Sequence, residues 1–175
     1  MRIYLLAAVV LAGCSHAPAP PVGALAATDF ENLAGWLADA PARATLTQEQ
    51  AHSGKYSTSV RPEHDYSLGY SNLLSQMSAD RPTRLRISAW IQQTGPEPSA
   101  KLVTELKSPQ GTSLLWKGLD VGTVAKAPGK WYHVGQTVTL PATAPPDSRL
   151  LVYLWRADST TPTYLDDLEI RLATP

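Results

Sequence analysis

Apolar and polar residues alternate along several stretches of this chain. In RLRISAWIQ, residues 84–92, Leu85, Ile87, Ala89 and Ile91 fall on one face, and Arg84, Arg86, Ser88, Trp90 and Gln92 on the other. In LLVYLWR, residues 150–156, Leu150, Val152 and Leu154 alternate with Leu151, Tyr153 and Trp155. A strand with one buried face requires this period of two, because successive side chains point to opposite sides. The segments Ala100 to Lys107 and Trp131 to Leu140 follow it less cleanly. Helices have little room, since fifteen prolines and eleven glycines are spread along the chain. Only Glu31 to Ala40 accommodates a short helix, with a loop as the equal alternative. Ser108-Pro109-Gln110-Gly111 suits a type I turn, and Ala127-Pro128-Gly129-Lys130 a type II turn, which needs a positive φ at its third residue. Many short strands separated by such turns predict an all-β fold, an antiparallel β-sandwich. No repeat of solenoid period is visible.

The start of the chain departs from this pattern. Arg2 precedes a continuous apolar run, Ile3 to Ala12. One positive charge before a short apolar run is the layout of an export signal. The run is too short for a membrane span, which needs roughly 20 apolar residues. It ends in Leu11-Ala12-Gly13-Cys14, which resembles the lipobox of bacterial lipoproteins. The resemblance implies a signal peptide over residues 1–13, removed before Cys14, and lipid on Cys14 itself. Cys14 is the only cysteine in the chain, so no internal disulfide competes for it. Each buried acyl methylene adds about 0.8 kcal/mol of membrane affinity, and several chains therefore hold firmly. Residues 14–27 are rich in alanine and proline and read as a tether. Residues 28–175 then form one domain of ordinary size. Ser15 follows Cys14, so the aspartate associated with inner-membrane retention is missing there. A lipid-anchored protein of the bacterial envelope, at the outer membrane, is expected.

Charge narrows the partners. Fifteen basic and fifteen acidic residues cancel, and no basic stripe marks a nucleic-acid surface. No second apolar run follows, so membrane contact is expected through the lipid alone. Catalytic motifs are missing too: there is no GxSxG elbow, no HExxH and no glycine-rich phosphate loop. Glu63-His64-Asp65 reads as a polar loop, and His133 as a strand histidine. Asp166 and Asp167 are adjacent, an arrangement that a structural role explains better than a glycosidase pair. A non-enzyme is expected.

Four segments, taken together, resemble the carbohydrate-binding modules associated with bacterial cellulases and xylanases (the CenC-like type), in the galactose-binding-like jelly-roll superfamily. They are DFEN at 29–32 with Gly35-Trp36, HSGKYS at 52–57, the strand 84–92, and GKWYHV at 129–134 followed by YLDDLEI at 164–170. The resemblance covers nearly the whole domain and implies a two-sheet jelly roll with first and last strands adjacent. It also implies a structural calcium ion, with Glu31 and Asp167 as side-chain ligands, Asp166 and Asp29 as weaker ones, and carbonyl oxygens from Lys55 and His52. Calcium takes roughly six to eight oxygens and favours such a mixture. On a regular strand Asp166 and Asp167 point to opposite faces, so only one reaches a given site unless the strand is kinked.

Five tryptophans against one phenylalanine suit a sugar-binding surface. Tryptophan and tyrosine combine a flat face with a polar edge, and sugars offer C–H groups beside hydroxyls. Trp131 resembles the family's core tryptophan, and Trp36 is placed at the end of the sandwich. Arg86 and Trp90 share the polar face of one strand, and Tyr153 and Trp155 that of another. If the two strands lie in one sheet, its outer face carries rings beside a guanidinium; Trp116, in a loop from Leu114 to Asp120, is a further candidate. These five are the expected ligand-binding residues of a non-catalytic, membrane-tethered glycan-binding module. The alternative is an envelope lipoprotein whose sandwich serves as a structural or protein-interaction module without a sugar ligand, with the Trp90 and Trp155 face packed under loops such as Tyr66 to Leu74.

Overall fold

A computed structural model of the protein describes residues 23–33, 36, 40–96 and 100–173. The expected signal peptide, Cys14, most of the tether and Gly35 lie outside the described residues. Ten strands follow in order: β1 (Ala24–Thr28), β2 (Leu46–Thr47), β3 (Ser57–Val60), β4 (Tyr70–Leu73), β5 (Arg84–Gln93), β6 (Lys101–Lys107), β7 (Ser113–Asp120), β8 (Trp131–Thr139), β9 (Arg149–Trp155) and β10 (Thr163–Leu172). Two single helical turns, α1 (Ala40–Arg43) and α2 (Leu74–Met77), interrupt them. One sheet runs β2-β3-β10-β5-β8, with β1 also paired to β10; the other runs β4-β9-β6-β7. Every pairing is antiparallel.

The alternation that predicted β5 and β9 fills the space between the sheets. Leu85, Ile87, Ala89 and Ile91 are fully buried, as are Leu150, Val152 and Leu154. Each such aliphatic side chain contributes roughly 1.5–3 kcal/mol by leaving water. Leu102 and Leu106 of β6 and Val134 and Val138 of β8 join the same core. Gln136 stands among them because its amide spans the layers, donating to the Leu102 carbonyl and the Thr104 hydroxyl, both at 3.1 Å. Lys117 of β7 donates to the Thr137 carbonyl of β8 at 2.8 Å and ties the two sheets along one side. Trp36 packs edge-on against Tyr70 with centroids 5.3 Å apart and lies against the core. Both turns form as read: Gly111 N–H donates to the Ser108 carbonyl at 2.9 Å, and Gly129 has φ +73°.

Three expectations change. The folded region begins at Ala24, ahead of the expected Thr28, because Ala24 to Thr28 add to β10 as a strand. Ala-Leu-Ala-Ala has no period of its own, and the pairing supplies its conformation. Trp116 belongs to strand β7, at the edge of the four-stranded sheet, rather than to a loop. Trp131 is not a core residue: its neighbour Tyr132 packs on the core, and alternation turns Trp131 to the outer face.

Strand β10 is regular except at its middle. β3 pairs with Thr163 to Leu165, and β1 with Leu168 to Arg171, along the same edge. Between them the register to β5 jumps from Asp166 to Glu169, and Asp167 takes φ +47°. This is a bulge in a strand paired on both sides.

Candidate functional site: an aromatic groove on the four-stranded sheet

The outer face of the four-stranded sheet is hollow. A groove of about 810 Å³ crosses it, with Tyr66, Ser71, Glu105, Lys107, Trp116 and Tyr153 among its lining residues. These come from β4, β9, β6 and β7 and from the loop before β4, so the groove runs across the strands. Tyr66 and Trp116 are 59% and 47% exposed, high values for rings of that size. Tyr66 meets Tyr153 edge to face at 5.7 Å, and Trp116 meets Trp155 likewise at 6.1 Å. Trp116 lies over Gly118, where an added methyl carbon would stand 2.7 Å from the indole; the glycine lets the ring lie flat along the sheet. A backbone bridge between Tyr66 and Trp155 fixes the loop to β9.

Polar groups sit between the rings. Glu105 is 8% exposed and accepts a hydrogen bond from the Tyr153 hydroxyl at 3.2 Å. Burial, and then the charge and hydrogen bond of Glu105, push the Tyr153 phenol up to about 12. Lys107 Nζ lies 3.7 Å from Glu105. Arg149 donates to the Ser71 hydroxyl at 3.2 Å.

Of the five expected ligand-binding residues, Tyr153, Trp155 and Trp116 meet here. Trp90 and Arg86 do not. β5 and β9 lie in different sheets, so their outer faces look in opposite directions. Alternation reveals which residues point outward but not which sheet carries the strand. Nor is the Trp90 face open: His52 stacks on Trp90 at 3.8 Å with planes 12° apart, and Trp131 meets His52 edge-on at 5.7 Å. The sequence reading missed Tyr66, Ser71, Glu105 and Lys107 as groove residues, and Arg149 as the partner of Ser71. The alternation of Lys101, Glu105 and Lys107 on the non-core face of β6 was the available signal; Tyr66 had none, since a loop has no period.

No protein-family model matches the sequence, and no curated protein matches it. Solved structures do. The CBM22-2 xylan-binding domain from Paenibacillus barcinonensis Xyn10C is similar with a TM-score of 0.53 at 18% identity, over 86% of this chain and 100% of that one. The CBM22-1 xylan-binding domain from the same protein gives a TM-score of 0.48 at 21% identity, over 74% of this chain and 80% of that one. A family 16 carbohydrate-binding module gives 0.49 at 14% identity, over 71% and 82%. The chain shares the jelly-roll fold of the first of these, the CBM22-2 domain.

Several oxygens of the expected calcium residues accept hydrogen bonds within the chain. Because of the bulge, both aspartates of β10 face the same turn. Asp166, fully buried, accepts from His52 N–H at 2.7 Å, Ser53 N–H at 3.0 Å and Asp167 N–H at 2.7 Å. Asp167 contacts His52 Nδ1 at 2.6 Å and accepts from the Ser53 hydroxyl at 2.7 Å. One Glu31 oxygen accepts from Lys55 N–H at 2.6 Å and Tyr56 N–H at 2.7 Å, and Asp29 accepts from Glu31 N–H at 3.1 Å. Lys55 and His52, expected to give carbonyl oxygens, each donate a backbone N–H to a carboxylate of this group. Among the described residues no three His, Cys, Asp or Glu side chains converge on a metal position. This arrangement is that of a turn whose N–H groups clasp carboxylates. Desolvation pushes the Asp166 carboxyl up to about 6 against the opposing effect of its N–H donors.

Proposed function

We propose that this protein is a non-catalytic glycan-binding module, held at the bacterial envelope by lipid on Cys14. The observation that carries the binding reading is the groove: four aromatic side chains around buried and half-buried polar groups, on a scaffold shared with modules described as xylan-binding. Ring faces and edges meet sugar C–H groups, while Glu105, Ser71 and the Tyr153 hydroxyl meet sugar hydroxyls. A groove that crosses the strands suits the interior of a polysaccharide better than a single sugar. The anchor reading rests on Arg2, the apolar run to Ala12 and the Leu11-Ala12-Gly13-Cys14 sequence.

A polysaccharide and glycan-array screen tests the binding reading. Trp116→Ala and Tyr66→Ala should each weaken whatever binding is found by about tenfold or more, since exposed aromatic anchors dominate such interfaces. They should leave the melting temperature nearly unchanged. Absence of binding to every glycan tried, with intact folding, would favour the protein-interaction module instead. That rival draws on β7, a sheet edge that carries exposed Leu114 and Trp116 and is open to a partner strand.

A further inference from the structure

We infer that the groove selects an anionic glycan, a polysaccharide bearing uronate carboxylates, with an acid group held between Lys107 and Arg149. This deepens the glycan reading above and rests on it. The pairing of β6 with β9 sets Lys107 directly opposite Arg149. Lys107 lines the groove, and Arg149 reaches Ser71, which lines it too. Two like charges directly opposite on neighbouring strands are unfavourable unless something of opposite charge answers them.

The chain answers them only in part. Glu105 is the nearby carboxylate, but it stands 3.7 Å from Lys107 Nζ and already accepts the Tyr153 hydroxyl. Arg149 donates to a neutral hydroxyl. The other basic groups around the groove differ: Lys101 pairs with Asp120 at 2.9 Å, and Arg156 with Asp65 at 2.6 Å. One end of the groove therefore holds two cations against one carboxylate. A guanidinium offers a planar fork that matches a carboxylate, and a neighbouring ammonium adds a point charge. Tyr66, Tyr153 and Trp116 lie along the same groove to take the adjoining sugar rings. Because the whole chain has a formal net charge of zero, preference for an anion has to come from this local pair and not from a general field.

The test compares polymers that differ only in charge. Polygalacturonate, alginate and glucuronoxylan are each titrated against the full-length protein, beside the carboxyl-reduced form of the same polymer. At least one acidic polymer should bind about tenfold more tightly than its reduced partner, as a hydrogen-bonded charge pair would give. The difference should shrink as salt rises. Arg149→Gln and Lys107→Gln should each erase the difference between the acidic and the reduced form of the polymer, with no loss of melting temperature. Equal binding of acidic and reduced polymers overturns the inference, as does a preference that survives both substitutions. Binding of no polymer in either form overturns the glycan reading itself, and this inference with it.

Discussion

Tyr153 places its hydroxyl beside Glu105 on the groove floor, 3.2 Å away, and the burial of both groups keeps the phenol protonated to about pH 12. An unfolded chain loses that proton near pH 10. Between those values only the unfolded state has released it, so stability falls as pH rises through the window from about 10 to 12. Tyr164 is held at about 12 as well, by burial and then by its hydrogen bond to Glu49. Burial raises the Tyr70 phenol too, so an ultraviolet titration of the folded protein should show a late phase from Tyr70, Tyr153 and Tyr164, and Tyr153→Phe should reduce its amplitude. If Tyr153→Phe leaves the late phase at full amplitude, the Glu105 contact is not formed. The tryptophans separate by the same kind of local accounting. Trp131 is half-buried on the outer face beside His52, whereas Leu154→Ala opens a cavity in the core and should cost about 2–5 kcal/mol. Chemical denaturation should therefore rank Leu154→Ala well below Trp131→Ala in stability. Residue 131 was misread because a motif match fixes where a tryptophan sits in the chain but not which way alternation turns it.

At the scale of strands, what could be read was what had a period. Residues 84–92 and 150–156 declared both their strands and their buried faces, since each buries one whole side in the core. β1, β2 and β4 are short or featureless and owe their conformation to partners far away in the chain: Ala24 to Thr28 pairs with Leu168 to Arg171. β7 hid for another reason. It is an edge strand, with Gly118 where the Trp116 ring lies, so its polar and apolar positions do not alternate cleanly. The β10 bulge was foreseen only as a condition, and it decides how the strands join. It turns Asp166 and Asp167 together onto the His52–Ser53 turn, where the gap between β1 and β3 is closed by side chains. Gly54 allows the turn, with φ +57° and Glu31 lying against it. Gly54→Ala should destabilise the fold by about 1–3 kcal/mol, from a strained φ and overlap with Glu31. The same junction makes a prediction about metal. If N–H groups and His52 already satisfy these carboxylates, calcium and a chelator should give superimposable melting curves. A rise with calcium that Asp167→Ala removes would show that the turn rearranges to present its carbonyls.

At the scale of the whole molecule, the proposed anchor and the proposed binding groove belong to different sheets. The chain enters the fold through β1, in the six-stranded sheet, while the groove lies on the outer face of the four-stranded sheet. Ten peptide units separate Cys14 from Ala24, and an extended chain spans at most about 3.3–3.6 Å per residue. A lipid on Cys14 would thus keep the domain within roughly 36 Å of the bilayer while leaving the groove untouched. Among the described residues no helix is long and apolar enough to cross a membrane. The proposed anchor is lipid on Cys14. Several acyl chains at about 0.8 kcal/mol per buried methylene can bear the attachment. Cys14→Ser should therefore abolish incorporation of labelled fatty acid and move the protein from the membrane to the soluble fraction. Because β1 belongs to the six-stranded sheet and the groove to the outer face of the other, the released protein should bind its glycan with unchanged affinity. A Cys14→Ser variant that stays with the membrane at unchanged mass would sink the anchor. A variant that is released but loses glycan binding would instead show that attachment and recognition are coupled, against the separation argued from the two sheets.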